Sequence, residues 1–170
     1  MPAASDSSPL ILFARIGTFI LLREVFTEIW IAPAVHREVV IEGAGRPGSD
    51  EVRAAPWIVD QPFRPPFLPA ALTADLDAGE AQTITLAWQV QADLPVLLDD
   101  AAARRVGLNL GLRVFGCAGI LVEAKRLGLI SAVRGPLDRL VGSGHYLSRV
   151  AYQEALGAAG EAEGGPLPAP

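Results

Sequence analysis

The run Pro95-Val96-Leu97-Leu98, closed at once by Asp99-Asp100, constrains the fold more than any other segment of the chain. Three branched apolar residues in succession leave no polar face, so a strand made of them must be covered on both sides. That is the situation of a parallel strand inside an α/β sheet. The next residues repeat the pattern. Ala101 to Leu110 predicts a helix stopped by Gly111, Arg113-Val114-Phe115 a second strand, and Cys117 to Leu127 a helix with Gly128 just past its end. Two further helices are expected near Val133–Leu140 and Arg149–Leu156.

The first half carries the same alternation. Ser8-Pro9 is a helix start, serine as cap and proline in the first turn. A second helix is expected from Thr18 to Val25, a strand over Glu28–Ile31, and a third helix from Pro33 to about Gly43. Trp57-Ile58-Val59 predicts a short strand before a proline-rich loop, and Asp77-Ala78-Gly79-Glu80 has the form of a capping box opening a long helix. The alternation predicts a three-layer α/β/α sandwich around a central, mainly parallel sheet. In such sheets ligands bind beyond the carboxyl ends of the strands.

Length and composition narrow the classes. A chain of 170 residues, 51% hydrophobic and 19% charged, suits one core-forming domain. We place it at residues 1–156, with the low-complexity 157–170 as a disordered tail. The longest apolar stretch, Val114 to Val122, has nine residues, too short for a membrane helix that needs roughly 20. The first residues lack the pattern of a secretory signal, which predicts a cytoplasmic protein. A single cysteine, Cys117, and two histidines, His36 and His145, offer neither a disulfide nor a cysteine-based zinc cage. The net charge of −5 argues against nucleic acid until it is divided along the chain. Residues 1–100 hold six basic and fourteen acidic side chains, whereas residues 101–150 hold eight basic and two acidic ones.

Placed on the expected sheet, four acids fall near one edge. Asp6 follows the first strand, Asp100 closes a later one, Glu80 stands in the first turn of a helix, and Glu38 lies one turn into the helix opened by Pro33. Carboxylates about 4 Å apart repel by about 4 kcal/mol at an effective dielectric near 20, so a cluster calls for a cation or raised pKa values. Oxygen-only ligands favour Mg²⁺ or Mn²⁺. The bland alternative is that Asp77, Glu80 and Asp100 only cap helices. Arg104 and Arg105, one helical turn past the acids, are candidates for holding substrate phosphates, or else a solvated helix face.

Several segments together resemble the PIN-domain family. They are Asp6-Ser7-Ser8-Pro9-Leu10-Ile11, Ile31-Ala32-Pro33 through Glu38-Val39-Val40, Gly79-Glu80-Ala81-Gln82, Leu97-Leu98-Asp99-Asp100-Ala101 through Arg105-Val106, Gly111 through Leu121, and His145-Tyr146-Leu147-Ser148. The resemblance spans roughly residues 5–156 and is closest to the prokaryotic nucleic-acid-binding branch similar to VapC-type toxins. It implies a metal-dependent endoribonuclease with Mg²⁺ or Mn²⁺ as cofactor, RNA as substrate, and an antitoxin protein as partner. It also implies Asp6, Glu38, Glu80 and Asp100 as catalytic metal ligands and Ser8 as a substrate contact. Asp99 is the substitute for Asp100, because neighbours at a strand end point to opposite sides. The apolar helix Thr18–Phe26 suggests a homodimer surface, or core.

Two departures qualify this. Met1-Pro2-Ala3-Ala4-Ser5 is a poor sequence for a first strand that the fold places mid-sheet, and proline suits only a strand start or an edge. Glu80 stands where many members carry aspartate. The poor first strand and the acidic net charge motivate an alternative, a catalytically weak PIN-fold module that binds RNA or protein. A phospho-acceptor domain would also pair aspartates at a strand end, but it needs a lysine late in the sheet, and the sole lysine, Lys125, falls inside a helix.

Overall fold

The apolar run forms a strand, β4 (Val96–Leu97), and Val96, Leu97 and Leu98 are fully buried, as their composition requires. It pairs with β1 (Ala3–Ser5) on one side and β5 (Val114–Phe115) on the other. Beyond β1 lie β2 (Ile29–Ile31) and β3 (Ile58–Asp60), giving the order β3-β2-β1-β4-β5 with every pairing parallel. The structure, a computed structural model, describes residues 1–62, 64–90 and 93–161.

Period-two alternation sorts the sheet into two cores. Ala3, Ile29, Ile31 and Leu97 join the larger one, built with α1 (Ser7–Arg15), α2 (Ile20–Val25), α8 (Cys117–Arg126), α9 (Arg134–Gly142) and α10 (Arg149–Ala158). Ala4, Val96 and Leu98 face the other way, onto Ile84 and Ala87 of α6 (Ala78–Val90) and Ala103 of α7 (Ala101–Asn109). The architecture is the expected three-layer α/β/α sandwich, its sheet wholly parallel.

β1 holds the centre of the sheet despite its sequence. Ala3 N donates to Glu28 O (3.0 Å), while Ala4 N and Asp6 N donate to Pro95 O (2.9 Å) and Leu97 O (3.1 Å). Two flanking ladders satisfy these amides, so the strand does not depend on its own propensity. Pro2 precedes the ladder and costs it no donor. The small Ala3 and Ala4 are fully buried, and Thr83 on α6 reaches Ser5 O at 3.4 Å.

Other boundaries differ from expectation. Asp6, not Ser8, caps α1. The helix opened by Pro33 is α-helical only over α3 (Pro33–His36) and then widens into a π-helical turn, Arg37–Glu42. It ends at Gly43, where a Cβ would collide with the Val39 carbonyl oxygen. A helix α4 (Ser49–Ala54) follows, and a short α5 (Ala70–Thr73) interrupts the proline-rich loop. The tail expected from 157 is structured at its start. α10 runs through Ala158, and the Glu161 carboxylate accepts from Lys125 Nζ (2.7 Å), Val133 N (2.8 Å) and Arg134 N (3.1 Å), tying the end of the domain to α8 and to the start of α9. Residues 162–170 lie outside the described residues.

Candidate active site

The acids gather where β1 and β4 end. Asp6 leaves β1 and turns its side chain back to cap α1, but the bond from Ser8 N is long, 3.5 Å. The residue is 4% exposed, and its Oδ1 has no hydrogen-bond partner. Burial pushes its carboxyl up to about 7, with the nearby Asp77 and Glu80 charges adding and the Ser7 and Ser8 amides opposing. Glu38 reaches the same place from the π-helical turn, where Ser7 Oγ donates to its Oε2 at 2.5 Å. π-Turns often occur at functional sites because the extra residue re-aims a side chain.

Asp77 and Glu80 form the expected capping box. Glu80 N donates to Asp77 Oδ1 (2.8 Å), and Asp77 N donates to Glu80 Oε2 (3.1 Å). Burial raises the Glu80 carboxyl, and the charges of Asp77, Asp100 and Glu38 raise it further. Between the two lies Gly79. A Cβ there would stand 2.9 Å from Asp6 Oδ1, 3.3 Å from Asp77 Oδ1 and 3.5 Å from Glu38 Oε2. Three carboxylate oxygens therefore surround one point that only a glycine leaves open.

Asp99 and Asp100 part company. Asp100 caps α7, its Oδ1 accepting from Ala102 N (2.7 Å) and Ala103 N (2.9 Å), and its charge acts on Glu80. Asp99 turns away. It accepts from Cys117 N (2.9 Å) and the Cys117 thiol (2.6 Å) and lies 3.8 Å from His145 Nε2. Cys117 is fully buried, and burial together with Asp99 pushes its thiol well up, so it is a proton donor to Asp99 and not a nucleophile.

The structure thus brings together Asp6, Glu38, Glu80 and, through its charge, Asp100, while Asp99 belongs to a neighbouring cluster. Ser8 lines a cavity with Asp100, but the hydroxyl touching an acid is that of Ser7. Arg104 packs over Gly116 beside Asp99, and Arg105 is exposed on the outer face of α7. Sequence reasoning missed Asp77 and Ser7. Asp77 was legible only as a cap, and Ser7 carried no signal apart from its place beside Asp6.

The arrangement suits a hard cation. Its donors are all oxygen, one buried carboxylate oxygen is without a partner, and the ion pairs among the described residues lie elsewhere. No three acidic, histidine or cysteine side chains among the described residues form a group at metal-holding closeness.

Among known families, the model described as a PIN domain matches residues 2–161. Neither a curated protein nor a solved structure matches the chain significantly. Among the described residues no helix is long and apolar enough to cross a membrane.

Proposed function

From the premise that the chain belongs to the PIN-domain family, a nuclease-type fold, we propose that it is an Mg²⁺- or Mn²⁺-dependent endoribonuclease. The observation that carries the proposal is the buried Asp6 Oδ1, without a partner, among the carboxylates of Glu38, Asp77 and Glu80. A bound divalent ion would supply charge neutralisation and an activated water for in-line attack on phosphorus. Asp6, Glu38, Glu80 and Asp100 would hold it, with Asp77 added to the set. Ser7 fixes the Glu38 carboxylate by its 2.5 Å bond, and the capping box fixes Asp77 and Glu80. With Oδ1 committed to the α7 amides, Asp100 has Oδ2 to offer. Ser8, Arg104 and Arg105 would contact the substrate. Residues 1–161 would act as one domain, as a cytoplasmic toxin of the VapC kind with an antitoxin partner and a second copy of the chain.

The test is cleavage of single-stranded RNA with added Mn²⁺ or Mg²⁺. Cleavage should stop with chelator and be lost in Asp6→Asn and in Asp100→Asn. Cleavage that persists in both variants rules out this site. RNA binding without Mn²⁺ binding by calorimetry would instead support the binding-module alternative.

A further inference from the structure

The acids open onto a cavity of about 350 Å³, with Arg37, Glu38, Glu42, Asp77 and Gly79 among its walls. Gly79 ties it to the point that oxygens of Asp6, Asp77 and Glu38 surround. The acids differ in depth. Asp6 and Glu80 are buried, whereas Arg37 and Glu38 are exposed. A ligand arriving from solvent therefore meets Arg37 and Glu38 first.

Arg37 is the one basic side chain among the residues lining this cavity, and it directly precedes Glu38 in the π-helical turn. Three carboxylates line the cavity with it, yet its side chain forms no ion pair or hydrogen bond with any of the described residues. Its fork of N–H donors is left for a ligand. The carboxylates outnumber it, but they are the groups that would hold the cation. A divalent ion and one guanidinium together balance three carboxylates. The arginines that the sequence offered for phosphate are placed differently. Arg104 lines a separate cavity beside Asp99, and Arg105 is exposed on the outer face of α7.

We infer that Arg37 is a substrate contact of this site, its guanidinium holding the non-bridging oxygens of the RNA phosphate that lies over the acids. A phosphodiester is the ligand class whose oxygens suit a hard cation and a guanidinium fork alike. Such a contact takes the backbone and not a base, so it is blind to sequence. This inference rests on the nuclease proposal and deepens it by naming the side chain that meets the substrate.

The experiment measures binding of two short labelled single-stranded RNAs of unrelated sequence by fluorescence anisotropy over a range of salt. Ca²⁺ replaces the catalytic ion, and RNA length is checked on a gel. Arg37→Ala should weaken binding of both RNAs about ten-fold, the loss expected for a charge-assisted contact. It should also flatten the slope of log affinity against log salt by about 0.7, the share of one phosphate on a single strand. Arg37→Lys should keep the slope of the wild type but restore affinity only in part, because lysine has the charge without the fork. Mn²⁺ binding by Arg37→Ala, read by calorimetry without RNA, should be no weaker than that of the wild type. Wild-type affinity and slope in Arg37→Ala, a loss confined to one of the two RNAs, or no RNA binding by the wild type overturns the contact. Weaker Mn²⁺ binding by the variant overturns it too, since Arg37 would then be a support for the acids. Arg37-dependent binding without Mn²⁺-dependent cleavage by the wild type would leave the contact standing and defeat the nuclease. Cleavage by the wild type with unchanged binding in Arg37→Ala would do the reverse.

Discussion

Replacing Asp6 by asparagine should stabilise the metal-free protein while removing its response to metal. The carboxyl is 4% exposed, has one oxygen without a partner, and is raised from 3.8 to about 7. About three pH units at 1.36 kcal/mol each make ionised Asp6 a burden of at most about 4 kcal/mol on the fold. Asparagine caps a helix as well as aspartate does, but it also buries an amide in a site shaped for a carboxylate. About 2 kcal/mol of the gain should therefore survive, or about 4–8 °C in Tm for a domain of this size. The sign follows from linkage. Below pH 3.8 the carboxyl is neutral in both folded and unfolded chains, and the two proteins differ little. As pH rises toward 7, the unfolded wild type releases its proton first, so the advantage of the variant grows and then levels off. Urea unfolding in chelator from pH 5 to pH 8 reads this directly. Added Mn²⁺ should then raise the midpoint of the wild type alone, because only a state that binds the ion is stabilised by it. A variant less stable than wild type at pH 8 in chelator, or a difference constant with pH, would refute the reasoning.

Gly79→Ala should lower Mn²⁺ affinity at least about ten-fold, measured by calorimetry, with little change in Tm. The new methyl would sit 2.9 Å from Asp6 Oδ1 and force the carboxylates apart, while alanine gains about 1 kcal/mol in helix propensity. Glu161→Ala should cost about 2–3 kcal/mol by losing the contacts to Lys125, Val133 and Arg134. Burial would raise the Glu161 carboxyl, but those partners outweigh it and hold it below its usual 4.5. The gap to wild type should be full above pH 4.5 and close as pH falls through the lowered value. A gap that widens in acid would contradict this.

What was legible in the sequence was local. Val96-Leu97-Leu98 had no polar face to expose, and the capping box of Asp77 and Glu80 closes within four residues, so both formed as written. Ala3-Ala4-Ser5 was not legible, because its strand comes from β2 and β4 bonding it from both sides. The π-turn under Glu38 packs against α4 and α1, and no residue in Arg37–Glu42 announces it. Glu161 sat in a stretch whose composition suggested disorder, and its partners lie far back in the chain. The candidate site divides the same way. Its acids were visible as strand ends and helix starts, but the second role of Asp77 and the loss of Asp99 to Cys117 depend on which side chains meet in space.

The parallel pairing of Ala4 with Val96 has a consequence for synthesis. The strand made first becomes the middle of the sheet, and one of its two neighbours emerges from the ribosome only after more than half the chain. Until then β1, β2 and β3 form at most a sheet with an open edge, and Asp6, Glu38 and Glu80 lack Asp100. Long-range pairing of this kind is slow and exposes unpaired edges on the way. A nascent or truncated chain would thus carry most of the acids before Asp100 and the strand ahead of it are in place.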